Sequence, residues 1–383
     1  MISISTIYFK SKTAKLNLFN SILIPLSLCF LMGCNIGEKN KLVNSNSLKY
    51  AKGFNIEKEG DRRILKILAA YQGSKDISSY QFDRNPGPIT IQIPIKRIVP
   101  TSTTHIPMIE LLGEEQSIVG FPNTNFVSSE KTRRLIEAGK IKEVGIQGNL
   151  NTEILLALKP DAVVSYAVNG PEKSLQLIER SNIPVIYNGD WLENSPLGKA
   201  EWIKVFGLLF DKEKEADSIF NAIEEEYLKA VQLANTATIK PAVLSGAIMS
   251  NDIWNLPAGE SYVAQFLKDS NTHYLWEETD GKGSLNLSFE SVFEKAKSAD
   301  FWIAPGYFSA KEQMVQANKL YAEFDAYKND RIYTPTSKQG SSGGVLYYEL
   351  ATVRPDLVLK DIIKITHPGL LPDYELTFFE KMK

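Results

Sequence analysis

The side chains able to do covalent or metal chemistry are few and far apart. The chain of 383 residues carries three histidines, His105, His273 and His367, and two cysteines, Cys29 and Cys34. Catalysis needs a nucleophile beside a base, a phosphate-cradling loop, or metal ligands at fixed spacing. None of those patterns occurs: there is no G-x-S-x-G elbow, no Walker loop and no H-E-x-x-H helix. The stretch "GKGSLN" at Gly281–Asn286 lacks the third glycine of a dinucleotide loop. Glu277 and Glu278 read as a solvated loop, and Asp161 and Asp300 as turn residues between a helix and a strand. The expectation is a binding protein with no catalytic residue and no resident cofactor or metal.

The formal net charge is -2, with no basic run and no acidic tail, which argues against nucleic acid as a main ligand. Lys10, Lys12 and Lys15 precede an apolar run, "SILIPLSLCFLMGC", too short to span a bilayer as a mature helix. Its end, Leu31-Met32-Gly33-Cys34, resembles the bacterial lipobox. Residues 1–33 therefore read as a lipoprotein signal peptide, and Cys34 as the residue whose thiol receives the lipid. Once cleaved, the chain keeps one cysteine and can form no internal disulfide. Residues 34–60, polar and weakly patterned, read as a flexible tether.

The elements that must position any site follow. Apolar runs of four or five residues alternate with helical stretches, which argues for parallel sheets covered on both faces. In a first α/β lobe, over 61–195, strands are expected at 97–100, 117–120, 162–165 and 184–187. Helices are expected there at 106–112, 129–139, 151–158 and 171–181. A helical connection over 196–236 contains an unbroken periodic stretch at 212–234. A second α/β lobe, over 237–383, has strands at 242–248, 300–304 and 331–334. Its helices fall at 260–270, 288–298, 311–328 and 353–366. "LLALKPDAVVSY" and "VFEKAKSADFWIAPG" repeat one helix–Asp–strand unit, once per lobe. The fold class is thus α/β: two Rossmann-like lobes joined by one long helix, with a cleft between them. Ligands of such sheets lie at the carboxyl ends of the strands. The loops there bring Thr103, His105, Tyr166, Trp191, Trp254, Tyr262 and Tyr307 forward as cleft residues, while Trp202 and Trp302 read as core. Aromatic walls with neutral polar groups suit a large, flat ligand.

Taken together, "KRIVPTSTTHIPMIELLG", "IVGFPN", "VGIQGNLNTEILLALKPDAVV" and "SADFWI" resemble the substrate-binding lipoproteins of ATP-driven importers for iron–siderophore and cobalamin. The resemblance runs from Lys96 to Lys383. It implies a monomeric, non-enzymatic carrier, held to the extracytoplasmic face only by its lipid. Such a carrier takes a metal chelate (an iron–siderophore or a corrinoid) and hands it to an ABC importer permease. It also implies a docking glutamate on each lobe; Glu260 and, less well placed, Glu110 correspond. One alternative is a carrier of free Zn²⁺ or Mn²⁺ using His105 and His273. Another, from a different class, is a cell-envelope enzyme.

Overall fold

The structure, a computed structural model, describes residues 43–44, 48–250 and 253–383. The signal segment and Cys34 lie outside the described residues. Strands β1 (Val43–Asn44), β2 (Phe54–Glu59), β3 (Arg62–Ile67), β4 (Ser78–Asp83) and β5 (Ile91–Gln92) form a sheet in that order. Phe54, Ile56, Leu65 and Ile67 are buried at alternate positions, the period of a half-buried sheet. The flexible tether expected as far as residue 60 is thereby corrected. From Lys49 onward the chain is pinned by two carboxylates far away in sequence. Glu201, fully buried, accepts the N–H groups of Lys49, Tyr50 and Ala51, and Glu193 accepts those of Lys52 and Gly53 at 2.8 Å. Nothing local in the polar stretch signals this, because both acceptors come from the other end of the lobe.

The first lobe carries a parallel sheet of β6 (Ile98–Pro100), β7 (Ala162–Ser165) and β8 (Val185–Tyr187), ordered β8-β7-β6. The strand expected at 117–120 is shifted to Gly120–Phe121, which pairs in parallel with Lys142–Glu143, and only a single bridge between Ile118 and Ile98 links it to β6. Helices α1 (His105–Leu111), α2 (Glu130–Glu137), α3 (Thr152–Leu158) and α4 (Lys173–Arg180) accompany these strands. Side-chain caps start two of them: Ser129 for α2 and Asn151 for α3. Then α5 (Pro196–Ala200) and α6 (Ile203–Leu209) lead into α7 (Glu213–Ala234), 22 residues with no glycine or proline. Ala216, Phe220 and Ile223 belong to the first core, and Tyr227, Ala230 and Ala234 to the second. One helix therefore joins the lobes and is rooted in both.

The second lobe begins with β9 (Ala242–Ser245), followed by the antiparallel pair β10 (Ala247–Ser250) and β11 (Ile253–Pro257). Next come α8 (Tyr262–Asp269), β12 (His273–Tyr274), β13 (Ser284–Ser288), α9 (Phe289–Ala296) and β14 (Phe301–Ile303). The helix expected over 311–328 is broken at Asn318 into α10 (Lys311–Ala317), a 3-10 turn and α11 (Asp325–Lys328). The chain closes through β15 (Ile332–Thr334), α12 (Leu346–Leu350), α13 (Pro355–Thr366) and β16 (Glu380–Lys381). The main sheet runs β12-β9-β14-β15-β16, parallel except for the last strand, and β10-β11-β13 form a separate antiparallel layer.

The repeated helix–Asp–strand unit has one physical purpose in both lobes. Asp161 Oδ2 accepts the N–H groups of Lys96 and Arg97 at 2.8 and 2.9 Å, while its own N–H donates to Arg97 O. Asp300 Oδ2 accepts Ala242 N–H at 2.8 Å, and its N–H donates to Ala242 O. Each aspartate staples the start of its strand to the first strand of the lobe and so sets the register.

Candidate functional site

The loops at the strand ends of the two lobes enclose a cleft of about 600 Å³, with side recesses of about 210 and 230 Å³. Trp191 borders all three spaces. It sits in the short 3-10 turn Asp190–Leu192 that follows β8, and its buried Nε1–H has no acceptor. Opposite stands Tyr262, the first residue of α8, whose N-cap Ser261 accepts Ala264 N–H. Tyr347 and Tyr348, from α12, close the cleft between them.

Lys199 of α5 forms part of the floor. Its Nζ lies 4.4 Å from the centre of the Tyr262 ring and donates to Asp190 O at 3.1 Å. Burial pulls the Lys199 ammonium below its usual range, opposed by Asp190 and Glu193. Burial likewise pushes the Asp190 carboxyl up, opposed first by Lys199. Both groups are thus held where their charges cost most and compensate each other. Burial also raises the phenols of Tyr166, Tyr262 and Tyr348. The cleft is therefore an aromatic trough with neutral hydroxyls and one compensated charge pair. It can stack against and hydrogen-bond a ligand, and among the described residues that line it no nucleophile is paired with a base.

The structure brings Tyr166, Trp191 and Tyr262 together around this space. Four expected cleft residues lie elsewhere. Trp254 is fully buried, stacked on Trp302 with ring centroids 5.2 Å apart. It lies within β11, where the alternation of a strand turns it into the core and turns Asn255 to the cleft. His105 is also fully buried, against Phe206 on the inner face of α1, and desolvation lowers it to about 3. Thr103 does not border the cleft, although Ser102 and Thr104 do; its hydroxyl donates to Tyr348 O at 3.4 Å. Tyr307 is 72% exposed and outside the lining.

Of the two expected docking glutamates, Glu260 is exposed, with Oε2 accepting Gly281 N–H at 3.2 Å. Glu110 instead turns inward: its Oε1 accepts the hydroxyls of Ser129 and Thr132, both at 2.5 Å. Sequence reasoning missed Lys199, Tyr347, Tyr348 and Gln72, the last carried to the cleft by the β3–β4 connection. The pair Tyr347-Tyr348 was within reach, since it lies on the connection that leaves the end of the strand expected at 331–334.

His273, the partner expected for His105 in a metal site, is exposed on β12 and bonded to Glu277 at 2.9 Å. Among the described residues no three His, Cys, Asp or Glu side chains converge to hold a metal ion. Nor is any described helix long and apolar enough to cross a membrane.

Comparison with known proteins agrees with this geometry. Among solved structures, a heme-binding protein of Roseiflexus superposes with TM-score 0.56 at 19% identity, covering 72% of this chain and 99% of that one. The heme-binding protein HutB of Vibrio cholerae gives 0.54 at 21%, covering 69% and 98%. At these identities the likeness shows a shared fold. An uncharacterized lipoprotein of Methanocaldococcus jannaschii is 25% identical, over 94% of this chain and 95% of its own length. The pattern of the family described as periplasmic binding protein matches residues 98–338. With two lobes, one joining helix and an aromatic cleft, the chain belongs to the periplasmic binding protein family, the non-enzymatic substrate-binding proteins of ABC importers.

Proposed function

We propose that the cleft captures a metal chelate with a broad apolar face, of the heme, corrinoid or iron–siderophore kind, and releases it intact to a permease. The observation that carries this reading is the wall of Trp191, Tyr262, Tyr347 and Tyr348 around about 600 Å³, a size suited to one such ligand. Heme-binding relatives of the same fold support it. A free metal ion would need converging imidazoles and carboxylates, and His105 and His273 stand apart.

The test is titration of the intrinsic tryptophan fluorescence with hemin, cyanocobalamin, a ferric siderophore and ZnCl2. Saturable quenching by one of the chelates, lost in Trp191→Ala, is the expected result. Saturable quenching by Zn²⁺ alone would overturn the reading. The lipid belongs to the same proposal. Cys34→Ser should leave a protein without a lipid, found in the soluble fraction or uncleaved, by fractionation and intact mass.

A further inference from the structure

The two lobes touch at a second place besides α7. After β15 the chain leaves the second sheet and lies against the first lobe. Gln339 and Val345 form an isolated antiparallel bridge, so residues 339–345 make a small hairpin. A Cβ at Gly340 would sit 2.5 Å from Ser128 O, and one at Gly344 would sit 2.3 Å from Phe126 O. The backbones of the two lobes approach here more closely than any side chain permits. Ser342 Oγ donates to Val127 O at 3.0 Å. Further on, Val353 is part of the first-lobe core. Residues 339–353 are thus a strap fastened at both ends, and the cleft tyrosines Tyr347 and Tyr348 lie between the fastenings.

Glu349 is the titratable fastening. It is 2% exposed, and its two oxygens accept Ser128 N–H at 2.6 Å and Ser129 N–H at 2.9 Å. These amides stand at the start of α2, where N–H groups have no partner within the helix. Glu110 of α1 reaches the same helix end through the hydroxyls of Ser129 and Thr132. We infer that Glu349 is a positioning residue of the cleft, which buttons the strap to the first lobe and so holds Tyr347 and Tyr348 in place without touching the ligand.

Its charge state is sensitive. Burial, and then the Glu110 carboxylate, push the Glu349 carboxyl up to about 7 against the pull of the two amides. Glu110 is the charged group facing it from α1, and α2 faces it with amides. Its own helix brings Tyr347 and Tyr348, whose raised phenols stay neutral in this range. As the pH rises through 7, the Glu349 carboxyl becomes charged beside the Glu110 carboxylate and the strap loosens.

The binding arm of the test rests on the chelate reading above; the exchange arm rests on the fold alone. Full-length wild type, Glu349→Gln and Glu349→Ala are loaded with hemin, and its release to an excess of apomyoglobin is timed between pH 6 and pH 8. Amide hydrogen exchange is followed in parallel. Glu349→Ala should speed release about tenfold and speed exchange across 126–129 and 339–350 together. Glu349→Gln, uncharged at every pH, should keep the slow release of pH 6 and lose the acceleration towards pH 8. Wild-type release and exchange in Glu349→Ala, or a wild-type pH profile in Glu349→Gln, would overturn the inference. If wild type takes up no hemin, the hemin reading falls and the exchange arm alone decides. Unchanged exchange in both segments of Glu349→Ala then defeats the strap.

Discussion

At the scale of the residue, the two tryptophans expected in the cleft divide into different tasks. Trp191 borders open space, whereas Trp254 is sealed among Trp302, Tyr321 and Phe324. Burying one tryptophan face against a ligand contributes roughly 2–3 kcal/mol. Trp191→Ala should therefore weaken chelate binding by about one to two orders of magnitude and leave the thermal midpoint nearly unchanged. Trp254→Ala should do the reverse, costing about 3–5 kcal/mol of stability in a urea titration. Loss of binding without loss of stability in Trp254→Ala would return that residue to the cleft. A second residue prediction follows from Glu349. Its folded carboxyl, at about 7, lies above the ordinary 4.5, so the folded protein keeps this proton to a higher pH than the unfolded chain. Its contribution to stability is then full below about 4.5 and is lost as the pH rises through 7. The slope of unfolding free energy against pH over that window should be shallower in Glu349→Gln than in wild type.

At the scale of the element, the sequence was legible where one segment decides its own fate. The apolar runs at 162–165 and 301–303 and the unbroken period of α7 act within a few residues. Trp191 and Tyr262 border the cleft for the same reason, because strand-end loops of parallel sheets open onto it. What could not be read depended on partners distant in the chain. The amides of 49–53 look unattached until Glu193 and Glu201 are folded beside them. His105 and Trp254 lay next to the right loops, but the face of the helix or strand turned them inward. For α7 the local period and the packing agree. Ile223 is 5% exposed in the first core, close to the point where the helix passes to the second. Ile223→Ala should cost about 2–5 kcal/mol. Because α7 is rooted in both lobes, denaturation followed by near-UV and far-UV signals should stay a single shared transition. A small cost with separated transitions would mean that the helix does not couple the cores.

At the scale of the whole molecule, capture and delivery are separate tasks on separate surfaces. On the proposed function the cleft takes the ligand between the strand ends, while a permease would meet the outside of the carrier. We propose Glu260 for that second task. It is exposed just ahead of α8, and its N–H and carboxylate both bond to Gly281, which fixes the connection rather than the ligand. A carboxylate before a helix N-terminus is favoured by the unpaired N–H groups there and remains free to meet a cation of a partner. Glu110, by contrast, spends an oxygen on Ser129 and Thr132 and is committed to the inside of the first lobe. The two glutamates are therefore unequal, and the docking contact proposed is one weighted towards the second lobe. Glu260→Ala should lower chelate uptake by cells about tenfold and leave the affinity of the purified protein for the same chelate within a factor of two. Glu110→Ala should instead destabilise the start of α2 and lower uptake only as far as it lowers the amount of folded protein. An equal loss of affinity and uptake in Glu260→Ala would place this residue in the cleft, and the docking surface would then have to be sought elsewhere.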